Sequence, residues 1–277
     1  QRQMCIRDRY YGEPLFQLGL VLEVQGKKEE AYDRFYKATW NEDTQGAAFF
    51  KLAALAAQKA DYKKAKEFVE RALIKNSHNM RARMLEILVA EKLGQDVSVK
   101  VAEALKIDPL DLAVNRKQSQ LMGDASTYRG VMRDDLNNYL TIALDYLQYG
   151  FDDEALDVLS ECPVHSPLVG YYEAAIYLDQ HKTVEAQLAI TKAEMAPSIY
   201  CFPSRIEEKV FLEKVITFDV RANFAKYYLG NLLYDKKQYD EAITLWEEAA
   251  KALPDFATPF RNLSFAYYNN CLLYTSD

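Results

Sequence analysis

Cysteine is sparse in this chain, with four in 277 residues and no spacing that reads as a disulfide framework, which fits a reducing compartment. Glycine is limited to 10 residues, and none of them forms a phosphate-cradling run. No stretch approaches the roughly 20 apolar residues that span a bilayer, so a membrane is not an expected partner. Basic charge is in deficit, with 34 Lys and Arg against 41 Asp and Glu for a net −7. Without clustered Lys and Arg, nucleic acid is not expected either. Of the three histidines, His78 and His181 sit near turns. His165 stands three residues after Cys162, half of a zinc-ligand spacing with no second pair at finger distance. No Ser or Cys nucleophile has an evident base. These absences leave no catalytic residue, metal or cofactor to nominate, and the chain reads as a non-enzyme.

What is present is a rhythm. Six times a small or modest residue, a larger apolar one and another small one recur at spacings of four and three: Ala31-Phe35-Ala38, Ala65-Val69-Ala72, Val97-Val101-Ala104, Ala155-Leu159-Cys162, Ala186-Ile190-Ala193 and Ala242-Trp246-Ala249. That spacing sets all three on one helix face. The first two sets begin 34 residues apart, and Leu18-Gly19, Leu52-Ala53, Leu229-Gly230 and Leu263-Ser264 supply the preceding helix with a small residue that permits close approach.

The layout resembles the tetratricopeptide repeat, a helix pair of 34 residues. The expected fold is all-α, an α-solenoid or right-handed superhelix of antiparallel helix pairs, in which each pair buries its apolar face on its neighbours. Between Val97 and Ala155, and again between Ala186 and Ala242, the period stretches enough to hold an extra helix. Candidates are 110–122, started by Asp108 or Pro109, and 205–218, capped by Ser204. Gly123–Gly130 reads as a linker. The expected organisation is a subarray over 10–110, a degenerate helix and linker over 111–136, and a second subarray over 137–270. The ends, 1–9 (QRQMCIRDR) and 271–277 (CLLYTSD), resemble translated sequencing-adapter read-through and are set aside as non-native.

Longer phrases carry a narrower resemblance: Tyr-Leu-Gly-Asn-Leu-Leu-Tyr-Asp-Lys-Lys at 228–237, Ala-Ile-Thr-Leu-Trp-Glu at 242–247, Arg-Asn-Leu at 261–263, Cys-Phe-Pro-Ser-Arg at 201–205 and Phe-Tyr-Lys-Ala-Thr-Trp at 35–40. Together they resemble the C-terminal repeat region of large bacterial proteins from gut anaerobes, in which a mutarotase-like β-sandwich of unknown function precedes the repeats. The resemblance implies a bacterial protein, the adapter-like ends a metagenomic fragment, and the cysteine usage a cytoplasmic location. It also offers the upstream β-sandwich as the alternative partner, with this region as structural support for a carbohydrate-active or sugar-binding parent. In such repeats the first helix of each pair lines a concave groove. Mapped here, the lining includes Phe16, Phe50, Tyr227, Asn231, Tyr234, Arg261 and Tyr268. Tyr and Arg are enriched at binding hot spots, which points to a protein-binding scaffold for a peptide or protein segment, centred on Tyr227, Asn231, Tyr234 and Arg261. Asn231 and Asn262 also fall at the two Asn places of a carboxylate clamp, although Tyr227 holds a place that a Lys occupies there.

Overall fold

The structure, a computed structural model, describes residues 11–274, and nothing is said below of side chains from 270 onward. Among the described residues there are sixteen helices and no strand. The end set aside at 1–9 lies outside them, as do 275–277.

Two compact units divide the chain, one up to Val158 and one from Leu159. The first holds α1 (Gly12–Val24), α2 (Lys28–Ala38), α3 (Glu42–Gln58), α4 (Tyr62–Lys75), α5 (Met80–Lys92), α6 (Ser98–Ile107), α7 (Leu112–Met122), α8 (Ser126–Met132), α9 (Leu136–Tyr149) and most of α10 (Asp152–Ser160). The second holds α11 (Pro167–Asp179), α12 (Thr183–Met195), α13 (Ile206–Phe218), α14 (Asn223–Asp235), α15 (Tyr239–Ala252) and α16 (Ala257–Tyr274). The most extensive packing is within the pairs α1/α2, α3/α4, α11/α12 and α14/α15.

The small-large-small rhythm is the core of these pairs. Every residue in the six triplets is buried except Cys162, which is half-buried. The small partner on the preceding helix is needed for contact. A Cβ added to Gly19 would lie 2.6 Å from the Phe35 ring, and one added to Gly230 would lie 2.6 Å from the Trp246 indole.

The turn inside each pair repeats as closely as the core does. Residues 26, 60, 94, 150, 181 and 237 all have positive φ, between 56 and 79°. The next residue's N–H returns to the carbonyl five positions back, as in Lys27 to Leu22, Asp61 to Ala56, Gln95 to Ala90 and Gln238 to Leu233, at 2.9–3.0 Å. This is the Schellman closure that satisfies the last orphan carbonyls of a helix. Glycine fills the left-handed place at 26, 94 and 150, whereas Ala60, His181 and Lys237 fill it at a conformational cost.

Both expected extra helices form, with starts that differ from the sequence expectation. α7 begins after Asp111, whose carboxylate accepts the Val114 N–H at 2.9 Å, so neither Asp108 nor Pro109 caps it. α13 begins after Arg205. Its first turn is closed by Glu208, which accepts the N–H groups of Ser204 and Arg205 at 2.6 and 2.9 Å, in place of a Ser204 cap. Within the stretch read as a linker, Ser126–Met132 is helical and buries Tyr128 and Met132.

One contact departs from nearest-neighbour stacking. α9 packs on α3 and α7. The Gln58 amide donates to the Gln148 carbonyl at 2.7 Å, and the Tyr149 ring meets Phe50 edge-on at 5.9 Å. Phe151 stacks on Tyr62 at 6.2 Å, Arg81 clasps the Asp145 carboxylate, and Lys92 pairs with Glu154 at 2.7 Å. Gly150 sits so close to α3 that a Cβ there would fall 2.7 Å from the Gln58 Cα. Thus α9 covers a face of the α3–α5 stack from about 90 residues further along the chain.

Candidate partner-binding surface

Tyr227, Asn231 and Tyr234 lie one turn apart on α14, and Arg261 and Tyr268 lie on α16. Their side chains meet different surroundings. Tyr227 is 7% exposed and sits among Tyr228 and Phe256, with ring centroids 5.2 and 5.0 Å away. Asn231 is a junction. Its Oδ1 accepts from the Trp246 indole N–H and from the Asn262 amide, both at 3.0 Å, which ties α14 to α15 and α16. Tyr234 packs on Trp246 and Tyr239 at 5.0 and 4.9 Å, and its hydroxyl accepts from Asn269 at 3.3 Å.

Arg261 is exposed, and its guanidinium donates to the Asn262 Oδ1 at 3.4 Å. Tyr268 is 64% exposed and neighbours the exposed Phe265 and Tyr267. Tyr267 donates to the Glu247 carboxylate, which raises the pKa of the phenol. The second unit therefore joins Asn231, Tyr234, Asn262 and Arg261 in one connected set, with Tyr227 beneath it in the core. Phe16 and Phe50 are elsewhere, in the first unit. Phe16 is half-buried against Phe35 at 5.6 Å, and Phe50 is half-buried against Tyr149.

The set rests on a rigid base. Glu194 of α12 accepts the Tyr171 hydroxyl at 2.7 Å and the N–H groups of Phe224 and Ala225 at 2.9 and 3.0 Å. It thereby caps the N-terminus of α14 from another helix, and a carboxylate there also complements the helix dipole. Sequence reasoning missed this cap because the acceptor lies about 30 residues before the helix it caps.

Burial pushes the Cys201 thiol up to about 12, so it stays protonated. Cys162 is half-buried, with its sulfur 3.8 Å from the Val164 carbonyl. Glu208, 3% exposed, accepts the Tyr172 hydroxyl at 2.8 Å, and burial with that carboxylate holds the phenol pKa far above its usual value. Among the described residues no group of three or more His, Cys, Asp or Glu is placed to hold a metal, and no helix is long and apolar enough to cross a membrane.

Residues 230–270 match the tetratricopeptide repeat family, so the chain carries a tetratricopeptide-repeat region. Among solved structures it is similar to YrrB, described as a tetratricopeptide repeat protein with an unusual peptide-binding site: 15% identity, 94% of this chain, 96% of that one, TM-score 0.33. A tetratricopeptide repeat protein from Parabacteroides merdae shows 15% identity over 92% of this chain and 84% of that one, TM-score 0.34. Yeast Tom70 shows 18% identity over 90% of this chain and 62% of that one, TM-score 0.34.

Proposed function

We propose that this chain is a non-catalytic scaffold that binds a peptide or protein segment at the α14–α16 surface. The observation that carries the reading is the division of labour around Asn231. Its oxygen and Trp246 lock the helices together, while Arg261 and the Tyr268 ring stay exposed beside that rigid base. Aromatic and Arg side chains presented on a fixed support lose little entropy on binding and dominate interface energies. The Asn231–Asn262 pair is committed internally, so in this reading recognition falls to Arg261, Tyr268 and the edge of Tyr234 rather than to an Asn-lined carboxylate clamp.

The test is capture of an identified partner by the wild-type chain and by Arg261→Ala/Tyr268→Ala. Both residues are exposed, so the variant should melt with the wild type while losing the partner. Undiminished capture would refute the assignment, as would a fall in stability with no effect on capture. Capture that requires an upstream β-sandwich domain, and nothing else, would favour the other reading, a structural support within a larger carbohydrate-active or sugar-binding protein.

A further inference from the structure

We infer that α9 is an exchangeable element, and that two copies of this chain pair by each laying its α9 on the α3–α5 face of the other. Besides its packing on α7, five contacts join α9, or the residues just after it, to elements before residue 93. Gln148 accepts from Gln58, Tyr149 meets Phe50, Asp145 pairs with Arg81, Phe151 stacks on Tyr62 and Glu154 pairs with Lys92. None of these contacts depends on which chain supplies the helix.

The connection that makes them intramolecular is short. α8 ends at Met132, and α9 starts at Leu136 with Asp135 as its N-cap. The two residues between Met132 and Asp135, Arg133 and Asp134, both have φ of +52°. Asp tolerates the left-handed region, but Arg has no side-chain hydrogen bond to favour it. α8 is anchored on its own side of this hinge by the buried Tyr128 and Met132. An opened hinge with negative φ would release the strain and give up the bonds from the Asp135 N–H and the Asn138 amide to the Met132 carbonyl, at 3.1 and 3.0 Å, while the exchanged dimer would keep the five contacts to α3–α5. Strained short hinges favour this exchange. Those hinge bonds and the high effective concentration of a tethered α9 favour the closed monomer.

The experiment uses the full chain, refolded at low and at high protein concentration and sized by light scattering. Dimers should appear at high concentration and persist on dilution. Arg133→Gly/Asp134→Gly removes the strain from the closed form and should lower the dimer-to-monomer ratio about tenfold, which corresponds to roughly 1.4 kcal/mol. Asp134→Pro, which fixes φ near −65°, should raise it. Chains carrying Gln58→Cys mixed with chains carrying Gln148→Cys should yield the 58–148 disulfide peptide between chains, identified by mass. Three results would each overturn the inference: no dimer at any concentration, dimers that lack the mixed-chain peptide, or a ratio unmoved by the glycine pair. The glycine and cross-link arms decide the matter even where the proline variant fails to fold.

Discussion

Positions 60 and 94 are the same place in successive repeats, occupied once by alanine and once by glycine. Ala60 has φ of +56° and Gly94 of +72°, and both precede an identical Schellman bond. An L-residue in the left-handed region loses roughly 1–2 kcal/mol, while glycine's freedom in the unfolded chain gives back about 0.4–1 kcal/mol. Ala60→Gly should therefore stabilise the first unit by about 0.5–1 kcal/mol. Gly94→Ala should destabilise it by a similar amount, because a Cβ at Gly94 meets nothing within 4 Å and only the backbone is strained. For a unit of this size each kcal/mol moves Tm by about 2–4 °C, so the two variants should bracket the wild type. The double variant should return close to it, since the sites share no partner. Thermal and urea melts of the four proteins are the assay. Single variants that shift in the same direction would refute the view that the turn's backbone, rather than its side chain, sets the stability.

Gly150→Ala occupies the same kind of place but adds a collision with the Gln58 Cα at 2.7 Å, so it should cost clearly more than Gly94→Ala in the same melts; equal losses would argue against tight seating of α9. Tyr149→Ala removes a fully buried ring from that contact and should cost about 3–5 kcal/mol, with hydrogen exchange in α3 accelerating alongside. Glu194→Gln should destabilise by about 1 kcal/mol and deprotect the Phe224 and Ala225 amides first; uniform deprotection of the second unit would contradict the capping role. Stability should decline as pH rises above about 9. Burial raises the folded pKa of Cys201 to about 12 and also raises those of Tyr146, Tyr149, Tyr171 and Tyr228. The unfolded state therefore loses these protons first, and the stabilisation present below the unfolded values disappears as pH climbs through the folded ones. Cys201→Ala should flatten the pH 9–12 part of a Tm profile, and an unchanged slope would remove that thiol from the account.

The pairs were legible because their cause is local. Ala31, Phe35 and Ala38 share a face whatever the rest of the chain does, and Gly19 opposite Phe35 follows from the same register. The docking of α9 was not legible. Its mixture of Leu, Tyr and Asp is that of any amphipathic helix, and its seat on α3 is made by contacts between residues about 60 to 100 apart, such as Gln58 with Gln148 and Arg81 with Asp145, which no local pattern announces. Burial of charge was hidden for a different reason. Asn, Arg and Lys are residue types found mostly exposed, yet Asn115, Arg116 and Lys117 are all buried on α7, Arg116 beside the Tyr146 phenol and Lys117 paired with Glu91 at 2.5 Å. On α14, position alone placed Tyr227, Asn231 and Tyr234 along one line. Only the surroundings separate a core ring, a structural junction and a half-exposed edge.

The α9 contact also changes what the first unit is in energetic terms. In a plain helical array, stability is a sum over adjacent interfaces, and ends can open while the middle holds. A helix that ties residues 50–92 to 145–154 makes distant pairs open together, because opening α9 strips partners from Phe50, Tyr62, Arg81 and Lys92 at once. It also covers part of the α3–α5 face, where Tyr149 lies edge-on against the half-buried Phe50 ring. In the second unit Glu194, Asn231 and Trp246 fix the base without covering Arg261 or Tyr268. In the proposed reading a partner meets Arg261 and Tyr268 without displacing any helix, whereas Phe50 already has Tyr149 against its ring.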